Sequence, residues 1–425
     1  MIAICEPQCR TFGHEKINSR FIYGLRLAYP QAKIMFYADI THINAIINIL
    51  MHDDIIINNI DYIPIKFRDS FSIIGLLTYY SLFKKVFSNV LATGTNKIFF
   101  LSFSPPILYI IKKLKQKRDF LKMKFTLVLH GDFENIADES DRPIVSLLPN
   151  EPIIKKIRQT KLIDLPLKGA RYISILFHNY IINYWQSVII KLFQTKKVLL
   201  WKHSVDFKYI SLSPHIIGNA EKYIDVKKLN IYAVVPLTAF AEPTPLPNNK
   251  YAKFAIFGHG YPFMLHNVVV QLSQKDLKKP YEIRIIGTDI RGIDGFPNIT
   301  CPGSGKPLTR VEMEKYAQDI DMFLVLYEIN RFRLSCSGSI LESLSYIKPV
   351  LHFDNDCINT FNKQDRPIGI CCNKIEEFVN TMADIIENYH EYIPKFTIFR
   401  NNILTLRREL AIENSLTKIK DSFTW

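Results

Sequence analysis

Residues 321–356, DMFLVLYEINRFRLSCSGSILESLSYIKPVLHFDND, contain the pattern that decides the fold. The apolar run from Met322 to Tyr327 predicts a buried strand. Residues from about Cys336 to Ile347 predict a helix, and a second strand begins at Pro349. Strand, helix and strand in this order form a βαβ unit. In open parallel sheets ligands bind beyond the carboxyl ends of the strands, so the loop from Glu328 to Ser337 is the predicted binding loop.

The start of the predicted helix is well suited to an anion. Hydroxyls and unobstructed backbone N–H groups lie at the positive end of the helix dipole, and two arginines precede them. The residues concerned are Arg331, Arg333, Ser335, Ser337, Gly338 and Ser339. We expect a diphosphate there, and Glu342, one turn further on, would accept hydrogen bonds from a ribose. Alternatively, the serines are ordinary N-caps of a helix that binds no ligand.

Residues 337–355, SGSILESLSYIKPVLHFDN, resemble the nucleotide-sugar segment of GT-B glycosyltransferases, in which a helix of the pattern E-A-x-x-x-G-K-P-V follows a strand and a loop. The matching residues are Glu342, Lys348, Pro349 and Val350, whereas Ser343 and Ile347 replace the alanine and the glycine. Retaining members often carry two glutamates eight positions apart, and Leu334 stands in place of the first. This departure implies an altered mechanism or an inactive scaffold.

The resemblance implies an α/β protein with two Rossmann-like domains that face each other across a cleft. It also implies transfer of a sugar from a nucleotide diphosphate sugar to a hydroxyl acceptor, in the synthesis of a bacterial-type surface polysaccharide or lipid-linked glycan. A sugar-nucleotide epimerase or phosphorylase of the same fold is an alternative. The nucleotide sugar would be a substrate, so no cofactor is expected. Only Asp354 to Asp356 loosely resembles a metal-holding DxD pair, and we expect metal independence.

The composition is that of a globular protein with excess positive charge. Of 425 residues 48% are hydrophobic and 22% charged, and the formal net charge is +14. Such a charge predicts an acidic partner: nucleic acid, anionic lipid or a phosphorylated substrate. The seven cysteines show no CxxC pair and no zinc-ligand spacing, which favours a reduced, cytoplasmic environment. The sequence opens without a basic leader and contains no uninterrupted membrane span, so any membrane contact is expected to be peripheral.

The first residues also predict a βαβ unit, with a strand from Ile2 to Cys5 and a helix from about Ile17 to Ala28. Between them, Gly13, His14 and Glu15 lie at the helix entrance. This loop resembles the family's approach to the acceptor and donor, which implies an acceptor-binding role for Gly13 and His14 and a catalytic role for Glu15. A turn glycine followed by a solvated histidine and glutamate is the alternative.

A strand from Phe125 to Leu129 ends directly in the sequence HGDFEN. His130 and Asp132 are the best acid/base candidates of the amino-terminal half, because Gly131 allows close backbone approach. They resemble the family's histidine or His-Asp that faces the acceptor, which implies deprotonation of an acceptor hydroxyl or contact with the donor sugar. Alternatively, Asp132 caps the following segment.

An amphipathic helix is predicted to begin at Ser104, and its basic residues form the densest positive patch of the chain. These residues are Lys112, Lys113, Lys115, Lys117, Arg118, Lys122 and Lys124. A solvated helix face is the default interpretation, and we predict a docking surface for anionic lipid headgroups on the inner face of a membrane. A basic nucleic-acid-binding protein is the alternative from another class, disfavoured because no aromatic strand platform or helix-turn-helix pattern accompanies the charge.

The proline-rich residues 236–250 predict a linker between an acceptor-side domain at 1–235 and a nucleotide-sugar domain at 251–400. Residues 401–425 predict a terminal helix, and the resemblance implies that it packs back on the first domain. Before the linker, a strand is predicted from Val198 to Trp201.

The second domain restarts the strand and turn pattern with GHGYP. The resemblance assigns Gly258, His259 and Gly260 to the donor diphosphate and Lys306 to the nucleotide base. GSGKPL at 303–308 lacks the spacing of a P-loop, so an ATP-cradling loop is not predicted.

Overall fold

The structure is a computed structural model of the chain. It describes residues 1–11, 13–66, 72–134, 136, 193–235, 246–258, 262–287, 295–304, 306 and 308–425. Elements are numbered over these residues. The strands are β1 Ile2–Cys5, β2 Ile34–Ala38, β3 Ile60–Pro64, β4 Lys97–Phe100, β5 Lys124–Leu129, β6 Phe207–Ser211, β7 Asn230–Ala233, β8 Ala252–Gly258, β9 Tyr281–Gly287, β10 Ile299–Thr300, β11 Met322–Val325, β12 Val350–Phe353 and β13 Gly369–Cys372.

The α-helices alternate with these strands. They are α1 Glu15–Ala28, α2 Ile40–His52, α3 Ile73–Ala92, α4 Pro105–Lys115, α5 Thr195–Leu200, α6 Pro214–Ala220, α7 Pro262–Ser273, α8 Arg310–Gln318, α9 Gly338–Ser345, α10 Asp356–Asn359, α11 Ile375–Glu387, α12 Tyr389–Glu409 and α13 Leu416–Phe423. Within the described ranges, no helix is long and apolar enough to cross a membrane.

The strands form two parallel sheets. The first has the order β3-β2-β1-β4-β5-β6-β7 and the second β10-β9-β8-β11-β12-β13. The predicted α/β class with two Rossmann-like sheets is confirmed. The strand order reverses between β1 and β4 in one sheet and between β8 and β11 in the other, and a crevice opens beyond the strand ends at such a point.

Helices cover both faces of each sheet, because parallel strands are buried on both sides. In the first sheet, Phe83 of α3 packs on one face, while Phe21 of α1 packs on the other. In the second, Phe378 of α11 and Ile340 of α9 lie on opposite faces. These layers hold the carboxyl ends of the central strands in fixed positions.

The helix α13 packs on the first sheet, although α12 leads into it from the second. Ile412 and Ile419 lie in the same apolar cluster as Phe21 of α1. Gly24 of α1 permits this approach, because a Cβ atom there would stand 2.8 Å from Ile419 Cδ1. The end of the chain therefore belongs, in packing, to the first sheet.

Lys112 does not belong to an exposed basic face, and that part of the prediction is wrong. Its side chain is 1% exposed, and Nζ donates hydrogen bonds to the carbonyl oxygens of Val198, Leu199 and Trp201 at 2.7–2.9 Å. These carbonyls close the carboxyl end of α5, so the predicted strand from Val198 to Trp201 is also wrong. The lysine is buried because it satisfies the last carbonyls of a helix that packs on α4.

Candidate functional site

The candidate site lies where the carboxyl ends of the two sheets face each other. From the first sheet come the loops after β1, β4 and β5, and from the second come the loops after β8 and β11. Lys16 Nζ of α1 lies 2.7 Å from Glu342 Oε2 of α9, and Ser335 Oγ donates to Glu134 Oε1 at 2.6 Å. These contacts bring the second-domain wall of the site, around α9, against its first-domain wall, around α1 and the loop after β5.

The second-domain wall contains two glycines in register at the ends of neighbouring strands, Gly258 of β8 and Gly287 of β9. Gly258 has φ +76°, and a Cβ atom on Gly287 would stand 1.6 Å from the Gly258 carbonyl oxygen. Ser339 Oγ lies 3.4 Å from the Phe257 carbonyl oxygen, beside them. The sequence predicted a role for Gly258 but not for Gly287. The available signal for Gly287 was its position at the end of a predicted strand.

The predicted serines at the start of α9 differ in burial and in hydrogen bonding. Ser337 is the N-cap: its hydroxyl accepts a hydrogen bond from Ser339 N at 3.1 Å, bonds to Tyr327 and is 1% exposed. Ser335 is also buried and donates to Glu134. The capping alternative therefore describes Ser337, whereas Gly338 is exposed and Ser339 half-buried at the positive end of the helix.

The predicted binding loop is anchored on the first domain. Leu334 is 2% exposed and packs in the first domain's core. Asn219 Nδ2 donates to the Arg333 carbonyl oxygen at 3.1 Å. Arg331 is exposed, with its guanidinium 5.1 Å from the centre of the Phe332 ring. The position of the missing glutamate is thus filled by a core residue, and no acid/base role is open to it.

Glu342 is the centre of a partly buried ion cluster. Its Oε2 atom accepts from Lys16 Nζ at 2.7 Å and from Arg310 Nη1 at 3.0 Å. Burial opposes ionisation, but the charges of Lys16 and Arg310 prevail and lower the pKa of Glu342 to about 2. Burial lowers the pKa of Lys16 to about 7. No local pattern pointed to Lys16 or Arg310, because they lie 326 and 32 positions from Glu342 in the chain.

The first-domain wall carries two stacked histidines. The His14 and His130 rings are 4.1 Å apart and inclined by 6°. His130 Nε2 lies 2.7 Å from the Leu101 carbonyl oxygen and donates to it, which leaves Nδ1 as the acceptor. Burial, and after it the neighbouring His14, lower the pKa of His130 to about 3. His130 is therefore neutral near pH 7, and a weak base.

Two carboxyl groups near these rings hold protons more tightly than usual. Burial raises the pKa of Asp132 to about 7, against the opposing backbone hydrogen bonds of His130 and Asp132. Burial also raises the pKa of Glu15 to about 7. The Gly13 N–H donates to the Arg10 carbonyl oxygen at 3.0 Å, and the next residue, His14, has φ +54°. A carboxyl group of pKa near 7 is matched to proton transfer at neutral pH.

The remaining predicted donor residues have mixed outcomes. His259 and Gly260 lie outside the described residues. Lys306 is exposed, and its N–H donates to the Gly303 carbonyl oxygen at 2.8 Å in the loop that leads to Arg310. In the part of the chain that the structure describes, no group of three or more histidine, cysteine or acidic residues could hold a metal ion.

No protein-family model and no curated protein matches this sequence. Solved structures do match. A glycosyltransferase from Rickettsia africae ESF-5 is similar with a TM-score of 0.57 at 12% identity, over 100% of this chain and 99% of that one. Anabaena Alr3699/HepE in complex with UDP-glucose gives 0.59 at 10%, over 99% of both. Arabidopsis thaliana UGT89C1 complexed with quercetin gives 0.51 at 10%, over 99% and 98%. These likenesses show the fold, and this chain has the two-domain GT-B fold.

Proposed function

We propose that this protein is a glycosyltransferase that moves a sugar from a nucleotide diphosphate sugar to a hydroxyl acceptor. One arrangement carries the proposal: the α9 segment, whose start lies beside two glycine strand ends, contacts through Lys16–Glu342 and Ser335–Glu134 the first-domain segments that hold carboxyl groups of raised pKa. The second-domain wall offers a place for a diphosphate, and the first-domain wall offers proton acceptors. Group transfer from a diphosphate needs both.

The donor diphosphate binds at Gly258, Gly338 and Ser339. Gly258 and Gly338 have no side chains, so a phosphate can approach the backbone closely. The N–H groups at the start of α9 point toward the bound anion. A departing nucleoside diphosphate gains negative charge, which the helix dipole, Arg331 and the nearby cations stabilise without a metal. That Anabaena Alr3699/HepE was solved with UDP-glucose supports a nucleotide sugar as the donor.

The acceptor hydroxyl binds against the first domain, near the stacked rings of His14 and His130. Asp132 is the proposed base, because its pKa of about 7 leaves a large ionised fraction at neutral pH together with substantial basicity. Glu15 has the same pKa and is the second candidate. His130 serves better as a neutral contact for the sugar or acceptor, since its pKa is about 3.

The acceptor belongs to a surface polysaccharide or a lipid-linked glycan, and the protein docks peripherally on an anionic cytoplasmic membrane face. Exposed basic residues and two exposed apolar residues on neighbouring helices support the membrane docking. They are Lys113, Lys117, Arg118 and Lys122 after or within α4, and Ile74 (63% exposed), Leu77 (68%), Lys84 and Lys85 on α3. Lys117 Nζ lies 5.3 Å from the Tyr80 ring, which joins the two groups. Apolar and basic residues together suit a lipid interface.

A thermal-shift series tests the donor site. Nucleoside diphosphates and nucleotide sugars should raise the melting temperature, because a ligand held by the folded state stabilises it by about 2.7 kcal/mol at a hundredfold excess over Kd. Ser339→Glu should remove the response, because it puts a negative charge at the phosphate position. Ser81→Glu, on the exposed face of α3, is the control and should retain it. A wild-type protein that responds to none of these compounds would refute the proposed function.

A further inference from the structure

Two cations from different domains meet on one carboxylate oxygen. Lys16 lies in α1 of the first domain, and Arg310 lies in α8 of the second domain. Both side chains contact Glu342 Oε2. The side chains of Lys16, Glu342 and Arg310 are 13%, 18% and 20% exposed. Arg310 also pairs with Glu314 at 3.0 Å, and the positive charge of Arg20 further favours the ionised form of Glu342. Lys16 and Arg310 thus share the Glu342 carboxylate.

This cluster adjoins the proposed diphosphate position. Glu342 follows Ser339 by three residues, which is about 4.5 Å along a helix axis. The Tyr346 ring stacks on Phe257, the residue before Gly258, with centres 5.3 Å apart. Arg310 lies 5.0 Å from the centre of the same Tyr346 ring. A rotation of the long Lys16 and Arg310 side chains would carry their charges from Glu342 to phosphate oxygens at the helix start.

A diphosphate is the stronger partner for these two cations. It carries more charge than one carboxylate and offers several acceptor oxygens, and charge-assisted hydrogen bonds to phosphate oxygens are strong. The cations remain in the same shielded cleft, so their burial changes little when they change partner. Glu342 and a bound diphosphate therefore compete for the same two side chains.

We propose that Glu342 is an internal competitor of the donor, and that a diphosphate at the start of α9 draws Lys16 and Arg310 away from it. This inference rests on the proposed function and deepens it. It replaces the expected contact between Glu342 and a ribose. It also gives the first domain a direct part in donor binding, because Lys16 belongs to α1.

Calorimetric titration with inorganic pyrophosphate, which has no ribose, tests the competition. The titration is run at pH 6, below the pKa of about 7 that burial gives Lys16. Glu342→Gln should bind pyrophosphate at least threefold more tightly than the wild type, because both cations are released. Lys16→Met should bind at least tenfold more weakly. A ribose contact predicts instead that Glu342→Gln leaves pyrophosphate binding unchanged and weakens binding of nucleoside diphosphates.

A second ion pair of the same domain supplies the matched control. Asp319 accepts from Arg284 and from Lys253 away from the helix start, so Asp319→Asn should leave pyrophosphate affinity unchanged. Should Glu342→Gln fail to fold, Glu342→Asp takes its place, since a shorter carboxylate holds the cations less well and should also tighten binding. Unchanged or weaker binding in the folded variant would overturn the inference, and the pair would be structural only. Wild-type protein that binds neither pyrophosphate nor nucleoside diphosphates would overturn both this inference and the proposed function.

Discussion

His215 Nε2 lies 2.9 Å from the carbonyl oxygen of Phe332, in the loop between β11 and α9. Ser213 Oγ lies 2.7 Å from His215 Nδ1 and donates to it, so Nε2 carries the hydrogen and donates to Phe332 and, at 3.1 Å, to Ser335. Leu334 stands between these two carbonyls and packs in the first domain's core. The loop that follows the second domain's central strand is therefore held by the first domain.

His215→Ala should lower the free energy of unfolding by about 1–3 kcal/mol, because two half-buried carbonyls lose their donor. Urea denaturation measures the change. His390→Ala, an exposed histidine of α12, is the control and should change stability by no more than about 0.5 kcal/mol. Equal stabilities of the two variants would contradict the anchoring role.

Local pattern was enough to predict the βαβ units, the helix after β11 and the glycine at the end of β8. These features depend on periodicity and turn chemistry within a few residues. Ile347 is an instructive case, because it replaces the glycine of the family's pattern and still has φ +58°, the left-handed conformation that glycine adopts easily. The Ile347 side chain is 2% exposed, so its burial maintains a backbone conformation that isoleucine disfavours.

Long-range partners could not be predicted in this way. Helical periodicity placed Lys112 on a basic face, but the packing of α5 against α4 decided its burial. In the sequence, Leu334 was interpreted as the loss of a catalytic glutamate. In the structure, it makes apolar contacts in the core of the other domain. Lys16 and Arg310 carry no local sign that both reach Glu342. Each depends on where a distant element lies.

Gly258→Ala should reduce the response to nucleoside diphosphates more than its loss of stability explains. A side chain at φ +76° costs about 1–2 kcal/mol of strain, and its Cβ would stand 3.4 Å from Ser339 Oγ at the proposed phosphate position. Gly94→Ala is the matched control, since Gly94 has φ +80° with nothing within 4 Å. Thermal shifts of both variants with and without ligand measure the difference, and a similar loss of response in both would argue against the site.

Lys112→Met should destabilise the protein by about 1–3 kcal/mol, because three carbonyls near the end of α5 lose a charged donor. Lys113→Met, one position further on and exposed, should change stability by less than about 0.5 kcal/mol. Cosedimentation with anionic vesicles should show the opposite ranking, with weaker binding for Lys113→Met and unchanged binding for Lys112→Met. Vesicle binding that depends on Lys112 alone would contradict the surface assigned here.

Asp132→Asn should change both the pH dependence of stability and the rate. The folded pKa of about 7 exceeds the unfolded value of about 3.9, so between these pH values the folded protein holds the extra proton and its stability falls as pH rises. In urea denaturation measured from pH 4 to 8, the variant should lose the contribution of Asp132 to that slope and keep the contribution of Glu15, whose pKa is also about 7. If the ionised carboxylate is the base, the wild-type rate rises with pH through about 7, and the variant loses about 10²–10⁴ in rate together with this ascending limb. Glu15→Gln is the parallel variant, and an ascending limb that disappears only there would transfer the role of base to Glu15.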